Sequence, residues 1–139
     1  AADRRAHLLL EVIPALEAGK IVVSDRYYGS TRVYQKERGV KEADILKLEE
    51  LAISFDGRGI EPNLTILLDL DPEIGIARKT KQGGRTYFDE DAQEKQEKRR
   101  KAYFELAKEL GWEIVEGRGQ PAEVHQRILE ILKERGIIK

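Results

Sequence analysis

Residues 64–70, Leu-Thr-Ile-Leu-Leu-Asp-Leu, form a nearly unbroken apolar run of strand length. The Gly- and Pro-rich stretch 57–63 precedes it, and Asp71-Pro72-Glu73 follows. An apolar run without alternation fits a parallel strand covered on both faces. Asp71 suits a helix N-cap, Pro72 the first helical position and Glu73 the positive end of the dipole, which predicts a helix to about residue 81. A strand that feeds straight into a helix is the unit of an α/β fold with parallel strands.

The rest of the chain repeats that alternation. Residues 21–24 and 112–115 read as two further strands. Helical periodicity covers 3–18, with Pro14 as a kink and Gly19 as the stop, then about 29–38 closed by Gly39, and 41–55 with Ile45, Leu48, Ala52 and Phe55 as its stripe. A long helix over 92–110 turns Tyr103, Leu106, Ala107 and Leu110 inward, and a closing helix over 121–135 carries Val124, Ile128, Ile131 and Leu132. Residues 79–91 differ: Lys79, Lys81, Gly83, Gly84 and Arg85 form a basic excursion poor in aliphatic side chains. Three strands are few for this many helices, so a further part of the sheet is expected from outside these residues.

Composition excludes several chemistries. The 139 residues carry a formal net charge of −1, so no global basic field points to nucleic acid. With no Cys, disulfides, thiolate catalysis and Cys-based zinc drop out. His7 and His125 are isolated and read as ordinary side chains. No apolar run approaches the roughly 20 residues that cross a bilayer, and a soluble, cytoplasmic protein is expected. The 37% of charged residues, with no Cys, no Met and Asn63 as the single Asn, matches a heat-adapted, thermophile composition.

Chemistry concentrates after the first apolar run. Ile21-Val22-Val23-Ser24 breaks into Asp25-Arg26-Tyr27. The carboxyl edge of a parallel strand is where such folds bind ligands. Arg26 offers a fork of donors suited to phosphate, and Asp25 is placed to hold a hydrated metal ion. The same residues also suit a strand-end salt bridge with the ring as a core plug. Thr31, Tyr34 and Gln35 share one helix face, where hydroxyl and amide can read a planar base; an ordinary solvated face has the same spacing. The 79–91 segment suits a lid that closes cations over a transferring phosphoryl group, or a plain basic loop. Gly117-Arg118-Gly119-Gln120 follows the last strand, where its backbone can line a base pocket or simply turn the chain.

In this order, Ala1-Ala2-Asp3-Arg4, Val12-Ile13-Pro14-Ala15-Leu16, Ser24-Asp25-Arg26-Tyr27, Ser30-Thr31 with Tyr34-Gln35, Pro62-Asn63-Leu64-Thr65 and Leu68-Asp69-Leu70-Asp71-Pro72 resemble the thymidylate kinase family of P-loop nucleoside-monophosphate kinases. Tyr103 with Glu105-Leu106-Ala107 matches too, so the resemblance spans about residues 1–132. It implies a three-layer P-loop NTPase-like α/β fold, with this chain as the C-terminal two-thirds of one domain and a lid at about 79–91. It implies ATP and Mg2+, transfer of the γ-phosphoryl group to dTMP, and a homodimer. Arg4 looks like the arginine that bonds the thymine carbonyl, and Arg26 like the one that grips the acceptor phosphate. Asp25 resembles the acid that helps organise the hydrated magnesium ion, binding it through water, and counts with Arg26 and Arg85 among the catalytic residues. Ser30, Thr31 and Gln35 fall at the pyrimidine side, Tyr34 against the sugar, and Arg85 at the lid arginine. Arg118, Gly119 and Gln120 would face the ATP base.

Two departures stand out. Gly84 precedes Arg85, and Thr86-Tyr87-Phe88-Asp89 follows, where the family often places acids, so Lys79 or Lys81 could substitute. No G-x-x-x-x-G-K-[ST] phosphate loop occurs in these residues. A central strand with that loop is therefore expected from an unseen segment or a partner, and the fragment alone is expected to be inactive. Two rivals remain: another nucleoside or nucleotide kinase of the same fold, and a non-catalytic nucleotide-binding fragment.

Overall fold

The structure, a computed structural model, describes residues 2–55, 58–81 and 90–139. It divides into two compact units, residues 1–63 and 64–139.

The first unit is helical. Helix α1 (Ala2–His7), a π-helical stretch (Leu8–Val12) and α2 (Ile13–Glu17) run on from one another. The widened stretch has a local cause. Pro14 has no N–H and its ring crowds the carbonyl four residues back, so the helix loosens just before it, with the Ile13 N–H reaching the Leu8 carbonyl. The chain leaves α2 through Gly19 at φ +71°, as its position after the last apolar residue predicts. Helix α3 (Tyr28–Glu37) ends before Gly39 at φ +79°, and α4 (Glu42–Ile53) packs against α3 and α1. Leu8, Tyr28, Val33, Ile45, Ala52 and Ile53 form the buried core. A short antiparallel pair follows, β1 (Ser54–Phe55) with β2 (Arg58–Gly59), where the sequence reads as helix end and loop.

Two expectations in this unit are corrected. Residues 21–24 are not a strand; they have no regular structure, and Ile21 and Val23 are 61% and 90% exposed. A strand exists only against a neighbour, and none pairs with this segment among the described residues. The stripe of α4 is also displaced. Leu48 is exposed, while Glu49, the next residue, is buried because Arg32 of α3 takes its carboxylate in two bonds of 2.7 Å.

The second unit contains the sheet. Strand β3 (Ile66–Asp69) pairs in parallel with β4 (Glu113–Glu116), with Leu67 opposite Ile114 and Leu68 opposite Val115. Helix α5 (Pro72–Lys81) opens as the sequence predicts: the Asp71 carboxylate accepts from the Glu73 N–H at 3.0 Å. Helix α6 (Glu90–Leu110) packs on β3 and α5, burying Leu106 and Ala107. Helix α7 (Pro121–Glu134) packs on β4. Burial of β3 on both faces is not met: Leu68 is half exposed, and so is Ile114 of β4. By the register, Leu68 shares a face with buried Val115, and Ile114 shares the opposite face with Leu67, so each face of the pair carries one exposed apolar side chain. Most of the expected lid, with Arg85, lies outside the described residues; residues 79–81 belong to α5 and 90–91 to α6. No helix of the described residues is long and apolar enough to cross a membrane.

Candidate functional site

In the first unit the candidate residues converge on the entry to α3. Arg26 is the non-glycine residue with a left-handed backbone, at φ +70°, among the described residues. A side chain in that region costs on the order of 1–2 kcal/mol. The strain is held by local bonds. The Ser24 hydroxyl donates to the Arg26 carbonyl at 2.9 Å, and the Ser30 N–H to the Tyr27 carbonyl at 3.2 Å as the helix starts. A strained residue where a helix begins, carrying an exposed cation, is a recurrent mark of a ligand site.

The reversal at Arg26 sends its guanidinium back over α3. It donates to the Tyr34 hydroxyl at 3.3 Å and lies 5.6 Å from the ring centre. On the same helix, Thr31 accepts from Arg4 of α1 at 3.2 Å. Arg4 also sits 5.5 Å from the centre of the Tyr27 ring, whose hydroxyl donates to the Ile60 carbonyl at 3.0 Å. Two cations, the hydroxyls of Thr31, Tyr34 and Tyr27, and two aromatic faces are thus gathered around one helix start. Ser30 and Gln35 are half-buried on α3. Asp25 is exposed, and its carboxylate has no partner among the described residues.

The sequence offers Tyr27 as part of the triplet or as a core plug; in the structure its ring is half-buried and is the surface beside which Arg4 lies. Burial pushes the phenol of Tyr27 up from its ordinary value, opposed by Arg4. Burial also raises Tyr28 strongly, with the Glu61 carboxylate adding to it.

In the second unit, Arg118, Gly119 and Gln120 lie between β4 and α7. The Gly117 N–H donates to the Asp69 carbonyl at 2.6 Å, closing the carboxyl ends of β3 and β4 together. A Cβ on Gly117 would stand 3.1 Å from that carbonyl, so the approach suits glycine. Gln120 and Glu123 cap α7 reciprocally. At the same edge, Asp69 is held by Arg100 of α6 in two bonds of 2.6 and 2.7 Å. Neither this pair nor Arg32 with Glu49 was expected, because each joins residues of no shared local pattern.

No group of three or more acidic, His or Cys residues among the described ones can hold a metal directly. One exposed carboxylate, Asp25, is what a magnesium ion held by water and substrate phosphates asks of a protein.

The family model for thymidylate kinase matches residues 1–128. The chain belongs to the thymidylate kinase family. Relatives include a thymidylate kinase of Carboxydothermus hydrogenoformans, 34% identical over 95% of this chain and 64% of that protein. A thymidylate kinase of Ruegeria pomeroyi is 37% identical over 94% of this chain and 62% of its own length. A third, from Geobacillus sp. WCH70, is 39% identical over 83% of this chain and 54% of that protein. The chain therefore spans between 54% and 64% of the length of these thymidylate kinases. The mixed helix and strand content and the parallel pair agree with the α/β fold expected of the family.

Proposed function

We propose that the whole protein is a dTMP kinase, moving the γ-phosphoryl group of ATP to dTMP and releasing dTDP and ADP. The observation that supports this most is Arg26, held in a strained backbone at the entry to α3 and beside Tyr34, where Arg4 of α1 donates to Thr31 of α3. That set offers a cation for a monophosphate and a polar, aromatic face for a base and sugar.

In this reading, Arg26 leaves the Tyr34 hydroxyl and grips the acceptor phosphate with paired bonds. Arg4, Ser30, Thr31 and Gln35 address the pyrimidine, and Tyr34 lies against the sugar. An acceptor phosphate oxygen attacks the γ-phosphorus, and the bond from that phosphorus to the β–γ bridging oxygen breaks. Such a transfer needs alignment and charge stabilisation more than covalent help from the protein. Asp25 would hold Mg2+ through water, and the ion would supply neutralisation of phosphate charge. Arg85, or Lys79 or Lys81, supplies the lid cation, and Arg118, Gly119 and Gln120 face the base of ATP. The phosphate loop comes from sequence outside these residues, so the 139-residue piece alone is inactive. A thermophile source, a homodimer and a cytoplasmic location complete the proposal.

The test is the full-length protein assayed with ATP, magnesium and a panel of acceptors. Preference for dTMP over dCMP, dUMP and thymidine supports the reading. Preference for another acceptor replaces it with a different kinase of the fold, and no transfer to any acceptor leaves a non-catalytic binding protein.

A further inference from the structure

The loop after β4 carries a bonding pattern that a plain turn does not need. Arg127 of α7 donates from one nitrogen to the Glu116 and Arg118 carbonyls, at 2.7 and 2.8 Å. Arg78 of α5 donates to the Gly117 and Gly119 carbonyls, at 3.2 and 3.0 Å. Alternate carbonyls thus go to opposite guanidiniums, one from the helix after β3 and one from the helix after β4. The Gln120 carbonyl accepts from the first turn of α7.

The amides divide differently. The Gly117 N–H goes to Asp69 and the Gln120 N–H to the Glu123 carboxylate. The N–H groups of Arg118 and Gly119 have no acceptor among the described residues. The loop is consequently braced through its acceptors and presents donors. Exposed carbonyls can be satisfied by water alone, so two charged braces on one short loop act on its rigidity. Gly119, at φ +104°, turns its carbonyl to Arg78 with a backbone other residues rarely adopt.

We propose that Arg78 and Arg127 are positioning residues for the donor nucleotide, fixing residues 116–120 so that the Arg118 and Gly119 amides meet acceptor nitrogens of its purine ring. This rests on the reading of that loop as the site of the ATP base. Neither arginine touches the nucleotide; each acts through the loop.

The experiment measures ADP, dTMP and inorganic tripolyphosphate binding to the full-length protein by calorimetry. Arg78→Ala is expected to weaken ADP by about tenfold, the scale of one lost charged hydrogen-bonding brace, with dTMP and tripolyphosphate within about twofold. Arg78→Lys should recover little, because one ammonium does not span two carbonyls as the fork does. Arg127→Gln provides the second variant should Arg78→Ala fold poorly, with the same selective loss expected. If the wild type binds ADP and both variants bind it equally well, the positioning role is overturned while the donor reading stands. Equal weakening of all three ligands with a lower Tm also overturns it, in favour of a purely structural brace. A wild type that binds dTMP but not ADP overturns both.

Discussion

The Arg26 guanidinium donates to the Tyr34 hydroxyl at 3.3 Å and lies over the same ring, 5.6 Å from its centre. The two residues are eight apart, on either side of the turn that starts α3. A neutral phenol is a weak partner for a guanidinium, and Arg26 is exposed, so a phosphate dianion is a better one.

Arg26→Ala in the full-length enzyme removes the proposed phosphate contact. A lost charge-assisted bond of at least about 2 kcal/mol corresponds to a roughly 30-fold or larger fall in kcat/KM for dTMP. Arg26→Gly separates function from stability. Glycine relieves the positive φ but raises the entropy of the unfolded chain, so stability should change by less than about 1 kcal/mol. Steady-state kinetics beside urea unfolding decides this, and unchanged kinetics would remove Arg26 from the site.

Thr31 and Gln35 are proposed to read the pyrimidine edge. Thr31→Val and Gln35→Ala should narrow the preference for dTMP over dCMP and dUMP, by about tenfold for one useful hydrogen bond. Ratios of kcat/KM across the three acceptors provide the measurement. A ranking that does not move would count against a base-reading face on α3.

What was legible in the sequence was what is decided locally. Asp71, Pro72 and Glu73 announce the start of α5 within three residues, and Asp71 does cap it. Gly19 and Gly39 mark stops because each takes a left-handed backbone there. The inner face of α6 followed from the spacing of Leu106 and Ala107. What failed depends on a partner. Residues 21–24 have strand composition, but composition does not supply a neighbouring strand. Leu48 looked like core because nothing near Glu49 says that Arg32, 17 residues earlier, will bury it. Arg26 was legible from its place after an apolar run, and Thr31 with Tyr34 from helical spacing, but that Arg4 joins them was legible only through their order in a family pattern. Arg78 and Arg127 gave no signal, since a lone arginine on an amphipathic helix is usually solvated.

The Arg32–Glu49 pair ties α3, which carries the candidate site, to α4. Its side chains are 21% and 7% exposed, with both carboxylate oxygens bonded. Glu49→Ala leaves a largely buried guanidinium without its acid and should destabilise the protein by about 3 kcal/mol. Replacing both by Arg32→Met and Glu49→Leu should cost much less, because neither charge is then stranded. Chemical denaturation of wild type, single and double variants tests this. Additive losses would show that the pair does not act as a unit.

The raised phenols of Tyr27 and Tyr28 give the stability an alkaline limb. Burial is the leading cause for both, because it penalises the phenolate; for Tyr28 the Glu61 carboxylate adds to it. In the unfolded chain both phenols ionise near pH 10, whereas in the folded protein they stay neutral to higher pH. Below pH 10 both states hold the protons and the stabilisation is fully present. As pH rises from 10 toward and through the folded values, the unfolded state loses protons first, and stability falls. Urea midpoints of the full-length protein should therefore decline between about pH 10 and 11. Tyr28→Phe, which cannot ionise, should flatten that decline relative to wild type. A variant whose alkaline limb is as steep as the wild type's would place the loss on other groups.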